Sequence, residues 1–227
     1  MILLTFAVPQ ESRGVIARLR QPVQRGGLML GEWGGQEVAV LHTGMGGVAA
    51  GEALRVVVKR VRPAWVLSSG FAGGLDPGLP TGALLAASSF STPSLLEGLP
   101  AEIAGVTFCS TAQPLDTPAA KSALYAQTGA AAVDLESAAI AAVCQATGTP
   151  LLILRIVSDA AHEALPLPSA VAYDFARQRI RHLAIAGYLA THPRRIPLLT
   201  RFLRRLPSLQ ADLAAGLRAV LQKSPQP

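Results

Sequence analysis

Residues 131–159 contain two apolar runs that end in carboxylates, and this pattern constrains the fold more than any other part of the sequence. The first run leads to Asp134 and Glu136, where a strand gives way to a helical pattern. The second run, residues 151–157, is followed by Asp159. A buried carboxylate at a strand end is costly unless it has a partner or a function. Because ligands of open α/β sheets bind at the carboxyl ends of the strands, the segment predicts part of a ligand site.

The same alternation of short strands and helical segments runs through most of the chain. At 227 residues the chain has the length of one large α/β domain. Strands are predicted over residues 2–8, 37–43, 65–69, 84–90, 105–110, 131–133 and 151–157, and helices over residues 10–19, 48–62, 117–128, 136–147 and 169–190. The pattern predicts a single-domain, three-layer α/β sandwich in which helices flank a largely parallel or mixed central β-sheet.

The excess positive charge lies entirely at the end of the chain. Residues 1–193 contain 13 basic and 13 acidic residues, whereas residues 194–227 contain seven basic residues and one acidic residue. A neutral body is not typical of a nucleic-acid-binding domain, so no nucleic-acid partner is expected. We therefore divide the chain into a domain of residues 1–193 and a basic, leucine-rich helical tail of residues 194–227. The tail packs on the body or on a partner, which we favour, or it makes peripheral contact with an acidic membrane surface.

The two cysteines and the N-terminus indicate the compartment. Cys109 and Cys144 lie in apolar surroundings without metal-ligand spacing, so we expect buried free thiols and no metal site. The N-terminus lacks the charged region and the long apolar run of a signal peptide, and no apolar run is long enough for a membrane span. These features predict a cytoplasmic protein.

Two glycine-rich turns follow predicted strands and are candidates for a shared pocket. Gly44, Met45 and Gly46 lead from one strand into a helix, and residues 70–74 follow another strand. Glycines allow a ligand to approach the backbone closely, and the first N–H groups of a helix point outward. The spacing matches neither a dinucleotide fingerprint nor a P-loop, which argues against NAD and ATP. Glu11, after the first strand, suits either this pocket or a helix N-terminus.

Three separated segments match one known pattern in order. They are TGMG at residues 43–46, SGFAGGL at residues 69–75, and VDLES at residues 133–137 followed by RIVSD at residues 155–159. Together they resemble the nucleoside phosphorylase superfamily of the purine and uridine type. Within it, the chain is similar to the methylthioadenosine/S-adenosylhomocysteine nucleosidases and to a hopanoid-associated branch that acts on adenosyl groups with a large apolar 5'-extension. The resemblance covers about residues 1–190.

The resemblance implies roles for the motif residues. Asp159 would protonate or hydrogen-bond the purine leaving group, Glu136 would bind the ribose hydroxyls, and Glu11 would position and activate the attacking water. The implied substrate-binding set also contains Met45 at the 5'-substituent, Phe71, Ala72 and Gly73 near the base and the anomeric carbon, Leu135 at the sugar face, Ser158 beside the acid, and Arg155 in support of the carboxylates. Phe71 and Leu135 depart from the family pattern, in which a small residue and a methionine are usual.

The resemblance also implies an enzyme that cleaves the N-glycosidic bond of an adenine nucleoside with an apolar 5'-substituent. Phosphorylases of this family bind phosphate through an early glycine-aspartate-proline-x-arginine turn, which this sequence lacks, although Arg13 is a possible substitute. Hydrolysis is therefore the favoured interpretation. Phosphorolysis of a purine nucleoside or an adenosyl-hopane-type substrate, with phosphate as co-substrate, is the alternative, and a non-catalytic nucleoside-binding protein is the second. We expect no other cofactor and a homo-oligomer, a dimer or larger.

Overall fold

A ten-stranded mixed sheet forms the middle layer of the molecule in the computed structural model, which describes residues 1–223. The strands are β1 (Ile2–Phe6), β2 (Arg20–Arg25), β3 (Leu28–Trp33), β4 (Gln36–His42), β5 (Val66–Gly74), β6 (Leu84–Ala87), β7 (Ala104–Val106), β8 (Phe108–Ser110), β9 (Ala132–Asp134) and β10 (Leu151–Asp159). The helices are α1 (Pro9–Ile16), α2 (Gly47–Val61), α3 (Pro93–Glu97), α4 (Pro118–Thr128), α5 (Ser137–Thr147), α6 (Ser169–Ala172), α7 (His182–Thr191) and α8 (Ile196–Lys223).

The centre of the sheet is parallel, and this arrangement positions the site. The strand order is β2-β3-β4-β1-β5-β10-β6-β7, with β9 beside β5 and β8 beside β9. Strand β1 pairs in parallel with β4 and β5, and β5 pairs in parallel with β10. The carboxyl ends of β1, β5 and β10 therefore meet at one edge, as expected for ligand-binding α/β sheets.

Helices cover both faces of the sheet. Alternate residues of β1 point to opposite sides, so that Ile2, Leu4 and Phe6 join a core with α1 and α8, whereas Leu3 joins a core with α2 and α5. Every residue of β10 is buried, as is usual for a central parallel strand with helices on both sides. The predicted three-layer α/β sandwich is confirmed.

Several predicted helix ends are also confirmed by their capping geometry. The Thr117 side chain accepts a hydrogen bond from the Ala120 N–H at the start of α4, and Gly129 ends that helix with a φ of 64°. Gly148 ends α5 in the same left-handed conformation. Both cysteines are free, but only Cys144 is buried, and Cys109 is half-buried.

The predicted long helix over residues 169–190 is wrong. The segment contains the short helix α6, a two-stranded hairpin of β11 (Tyr173–Asp174) and β12 (Arg179–Ile180), and then α7. The Asp174 side chain accepts a hydrogen bond from the Arg177 N–H, and Gln178 has a φ of 51°, so the chain turns back on itself between the two strands. Tertiary contacts of this turn replace the helix that its amphipathic pattern predicts.

The end of the chain forms one helix, α8, which includes Pro207. Its second half buries Leu209, Leu213, Leu217 and Leu221 in the core cluster that contains β1 and β10, and Arg205 pairs with Glu163 at 2.7 Å. The described part of the tail thus packs on the body through this half, while the division of the chain at residue 193 stays a prediction. Within residues 1–223, no helix is long and apolar enough to cross a bilayer.

Candidate active site

A cavity of about 250 Å³ opens at the carboxyl ends of β1, β5 and β10. Nine of the ten residues predicted for the site line it, and Arg155 lines a small adjoining cavity that shares Glu11, Phe71 and Glu136 with it. The nine are Glu11, Met45, Phe71, Ala72, Gly73, Leu135, Glu136, Ser158 and Asp159. The folded chain therefore brings the separated motifs together, whereas the role of each residue stays a prediction.

Glu11 is held by backbone N–H groups from two elements. Its Oε2 atom accepts hydrogen bonds from the Ala7 N–H at 2.9 Å and the Val8 N–H at 3.3 Å, and its Oε1 atom accepts one from the Phe71 N–H at 3.0 Å. Burial raises the pKa of Glu11 above its usual range, although the bond from Phe71 opposes the shift. A Cβ atom at Gly70 would lie only 2.7 Å from the Glu11 Oε1 atom. A residue without a side chain at position 70 thus leaves room for this carboxylate.

Glu136 precedes α5 and reaches the glycine-rich turn of residues 44–46. Its Oε1 atom accepts a hydrogen bond of 2.7 Å from the Gly46 N–H at the start of α2. Burial is the main reason that the pKa of Glu136 rises to about 7, and the negative charge of Asp134 is the second reason. The predicted sugar-binding carboxyl group therefore changes its charge near neutral pH.

Asp159, at the end of β10, forms an ion pair that lies almost entirely inside the protein. Its Oδ2 atom lies 2.5 Å from the Lys121 Nζ atom, and its Oδ1 atom accepts a hydrogen bond of 2.5 Å from the Ser158 hydroxyl. Burial raises the pKa of Asp159, and the neighbouring Lys121 ammonium opposes this shift. The acid predicted to face the leaving group thus has a cationic partner.

Lys121 is the main site residue that the sequence analysis missed. Its side chain is 1% exposed and lines the cavity from α4, and its Nζ atom also donates to the carbonyl oxygens of Ala160 at 2.8 Å and Glu163 at 3.0 Å. A lysine in an alanine-rich helix is ordinarily a solvent-exposed residue. The rarity of lysine was a signal for this residue. The chain has only three lysines among its 20 basic residues, and the other basic residues are arginines.

Arg155 lies beside the cavity, and its hydrogen bonds go to residues other than Glu11 and Glu136. Its Nε atom donates to the Asp134 Oδ2 atom at 2.9 Å. Its Nη2 atom donates to the hydroxyls of Ser68 and Ser137, and its Nη1 atom donates to the Leu154 carbonyl oxygen. The positive charge of Arg155 lowers the pKa values of both glutamates from a distance, against the larger effect of burial. The geometry thus pairs Arg155 with Asp134, a second residue that was not assigned to the site.

A second, more open groove of about 750 Å³ continues from the cavity toward the surface. The two share Met45, Thr111 and Leu135, and the β11–β12 hairpin forms part of the outer wall with Phe175 and Gln178. The Gln178 side chain accepts a hydrogen bond from the Met45 N–H at 2.7 Å and donates one to the Met45 carbonyl at 2.9 Å. The hairpin that replaces the predicted helix therefore covers the side of the cavity assigned to the 5'-substituent.

Comparisons with known proteins agree with this arrangement. The chain matches the family described as the phosphorylase superfamily over residues 13–92 and 90–186. It is 29% identical, over 163 residues, to the 5'-methylthioadenosine/S-adenosylhomocysteine nucleosidase of Actinobacillus succinogenes, a match that covers 57% of this chain and 71% of that protein.

Two solved structures illustrate the similarity in fold. The 5'-methylthioadenosine/S-adenosylhomocysteine nucleosidase of S. pneumoniae, solved with the transition-state inhibitor MT-ImmA, superposes with a TM-score of 0.72 at 17% identity, covering 98% of each chain. A mutant of the futalosine hydrolase of Helicobacter pylori superposes with a TM-score of 0.71 at 19% identity, covering 98% of this chain and 99% of that one.

Proposed function

The chain belongs to the phosphorylase superfamily, as its motifs predicted, and from that premise we propose that it is a purine nucleosidase that cleaves the N-glycosidic bond with water. The proposal depends chiefly on one observation, the convergence of Glu11, Glu136 and Asp159 on a single cavity. All three carboxyl groups are buried, and burial raises the pKa of each. Raised pKa values at converging carboxyl groups are typical of acid–base catalysis.

In the proposed reaction, the base leaves with the electron pair of the C–N bond while positive charge builds on the ribose ring. Asp159 donates a proton or a hydrogen bond to the departing purine, and the adjacent Ser158 hydroxyl orients its carboxyl group. Burial favours the protonated form of this acid, as the role requires. A positioned acid of this kind contributes on the order of 10² to 10⁴ in rate.

The two glutamates act on the sugar side. Glu136, held by the Gly46 N–H, accepts hydrogen bonds from the ribose hydroxyls in its ionised form. Glu11 takes a proton from the attacking water, and three backbone N–H groups fix the orientation of its carboxylate. Because a carboxyl group held by several donors cannot rotate freely, the water it binds has a defined direction of attack.

Water is favoured over phosphate because the cavity lacks a free cation. Within residues 1–223, no arginine lines it, Arg13 is exposed on α1, and Arg155 is bonded to Asp134. Lys121 lines the cavity but pairs with Asp159. Phosphate recognition in proteins generally uses arginine or lysine groups that point at the anion.

The groove beyond Met45 supports a substrate with an apolar 5'-extension. Its walls contain alanine, valine, leucine and phenylalanine side chains beside polar residues such as Glu52, Gln113 and Gln178. Its volume of about 750 Å³ exceeds the space a methylthio group needs. We therefore propose an adenine nucleoside whose 5'-group is longer than methylthio.

Adenine release from a matched substrate series tests this function. The series comprises adenosine, 5'-methylthioadenosine and the 5'-butylthio and 5'-octylthio analogues, each assayed with and without phosphate. We expect phosphate-independent release and a kcat/KM that rises with alkyl length. Ala176→Trp, which fills the groove, should reduce kcat/KM for the octylthio analogue at least tenfold more than for methylthioadenosine, whereas Ala101→Trp, at an exposed position away from the groove, should not.

Two results would contradict the proposal. Strict dependence on phosphate would show a phosphorylase, and absence of base release from every nucleoside would show a binding protein. If kcat/KM is highest for methylthioadenosine, the proposal of hydrolysis still holds, but the proposal of a 5'-group longer than methylthio is wrong.

A further inference from the structure

Residues 175–211 contain eight arginines and no acidic residue. Five of the eight large apolar side chains that are exposed in the described chain also lie here, and they are Ile180, Leu183, Ile196, Leu198 and Leu203. We refer to residues 179–206, which comprise β12, α7, the 3-10 turn Pro193–Arg195 and the first half of α8, as the arm. Exposed leucines next to arginines form a surface that the fold itself does not use.

Helix α7 is the most unusual part of the arm. Its sequence, HLAIAGYLAT, is apolar around most of its circumference, yet none of its residues is buried, and Ala184, Ile185, Tyr188 and Leu189 are only half-buried. Leu183 is 90% exposed. A helix that is apolar on all sides is ordinarily found in a protein core or in a membrane. Since α7 is not part of the core of this chain, we expect its apolar surface to contact an apolar environment outside the chain.

Of the arginines of the arm, only Arg205 forms an ion pair among residues 1–223. Arg194, Arg201 and Arg204 are exposed and form no ion pair among residues 1–223. By contrast, Arg205 pairs with Glu163 on the body and fixes the point from which the first half of α8 extends. The arm is therefore held near both ends, by the bonds between Gln178 and Met45 and by the pair of Arg205 with Glu163, and it presents arginines without ion pairs between them.

We propose that the arm docks on the surface of an anionic lipid bilayer. The apolar side chains of α7 and Leu203 enter the boundary between headgroups and acyl chains, and the arginines contact the anionic headgroups. Such interfacial helices combine buried apolar area with attraction to acidic lipids. The arrangement requires no membrane-spanning helix, and none is present among residues 1–223.

Charge distinguishes a bilayer from the other possible occupants. A symmetric contact between two copies of the arm would bring arginines together without an acidic residue to pair with them. A nucleic acid would neutralise the arginines but would leave Leu183 and its apolar neighbours in water. An anionic bilayer would both neutralise the arginines and remove the exposed apolar side chains from water.

Docking would also place the groove near the lipid. The hairpin strand β12 leads directly into α7, and Gln178 at its start is hydrogen-bonded to Met45 where the cavity meets the groove. A nucleoside with an apolar 5'-group could then enter without its apolar part crossing water. The membrane proposal depends only on the residues of the arm, so a different substrate would not contradict it.

Cosedimentation of the full-length protein with vesicles tests the proposal. One vesicle set contains phosphatidylcholine alone, and the other contains equal parts of phosphatidylcholine and phosphatidylglycerol. We expect binding to the anionic vesicles only, and weaker binding at high salt because exposed charges are screened. Leu183→Ser should weaken binding by about tenfold, and Arg194→Glu combined with Arg201→Glu should abolish it.

Matched changes on α2 provide the controls. Val56→Ser replaces another exposed apolar residue, which is 67% exposed, and Arg55→Glu reverses another exposed charge. Both should leave vesicle binding unchanged, and all variants should keep wild-type base release from a water-soluble nucleoside. Binding that is equal on both vesicle sets, absent from both, or reduced equally by the α2 changes would overturn the proposal. Self-association that disappears with Leu183→Ser, without vesicle binding, would assign the arm to a second copy of the chain instead.

Discussion

Asp159 and Lys121 form a buried pair in which the ammonium group of Lys121 affects the ionisation of Asp159. Burial favours the neutral acid, whereas the ammonium group at 2.5 Å favours the carboxylate. An acid that donates a proton to the leaving group must itself be protonated, so activity should fall as pH rises through its pKa. Lys121 therefore sets the position of that alkaline decline, although it does not transfer the proton in the proposed reaction.

Replacing Lys121 with methionine should shift the alkaline limb of the pH–rate profile. Because the positive charge of Lys121 lowers the pKa of Asp159, its removal raises that pKa and extends activity to higher pH. The shift is measured by base release across a pH series, with Lys59→Met as an exposed control and a melting curve for each variant. If the folded Lys121→Met variant shows the same alkaline limb of the pH–rate profile as the wild type, Lys121 has only a structural role.

Glu136 should make the stability of the ligand-free protein depend on pH. Its pKa rises from 4.5 to about 7 on folding, so the folded state holds the proton more tightly. The resulting stabilisation is complete below about pH 4.5 and is lost as pH rises through about 7, an effect on the order of 3 kcal/mol.

Glu136→Gln should therefore raise the melting temperature at about pH 8 more than at about pH 5, while it impairs substrate binding. Glu37→Gln, at an exposed position on β4, is the control and should show no such difference. Equal effects of Glu136→Gln at both pH values would indicate that the carboxyl group is not perturbed by burial.

The sequence allowed the motif residues to be predicted but not their supporting partners. Carboxylates and glycines at strand ends indicated where a site lies, because parallel strands bring those ends together. The resemblance to the family assigned the ten residues, nine of which line one cavity. Lys121 and the bond between Arg155 and Asp134 depend on which side chains meet across elements. No local pattern encodes such meetings in a single sequence.

Among the elements, α8 divides into a half that stabilises the fold and a half that projects from it. Leu217 is fully buried against the sheet, whereas Leu203 on the same helix is 52% exposed. Leucine periodicity is similar in both halves, so the sequence predicted a helical tail without indicating which leucines pack on the body. The hairpin of β11 and β12 illustrates the same limit, since its turn depends on contacts with Met45 and Asp174.

Leu217→Ala should lower the free energy of unfolding by about 2–5 kcal/mol, because it leaves a cavity in the core between α8 and β10. Leu203→Ala is the matched change on the same helix and should alter stability by less than about 0.5 kcal/mol. Urea denaturation monitored by circular dichroism measures both. Similar losses, or no loss in either variant, would contradict the assignment of the second half of α8 to the core.

For the whole molecule, the layered fold explains why separated motifs form one site. The parallel strands β1, β5 and β10 place Glu11, the glycine-rich residues 70–74 and Asp159 at the same edge, and the hairpin closes the side near Met45. Residues 70–74, predicted as a turn after the strand, belong to β5 itself. The alternation of strands and helices was sufficient to predict this architecture. The groove and the arm depend on tertiary packing, which the alternation of strands and helices does not predict. The groove supports the proposal of a long apolar 5'-substituent, and the arm supports the proposal of membrane docking.

The rate of adenine release by Asp159→Asn tests the central claim most directly. The amide preserves the size of the side chain but cannot supply the proton. We predict that kcat on the best 5'-substituted adenosine falls by about 10²–10⁴, with circular dichroism and nucleoside binding retained. A folded Asp159→Asn variant that releases adenine at the wild-type rate would contradict the account.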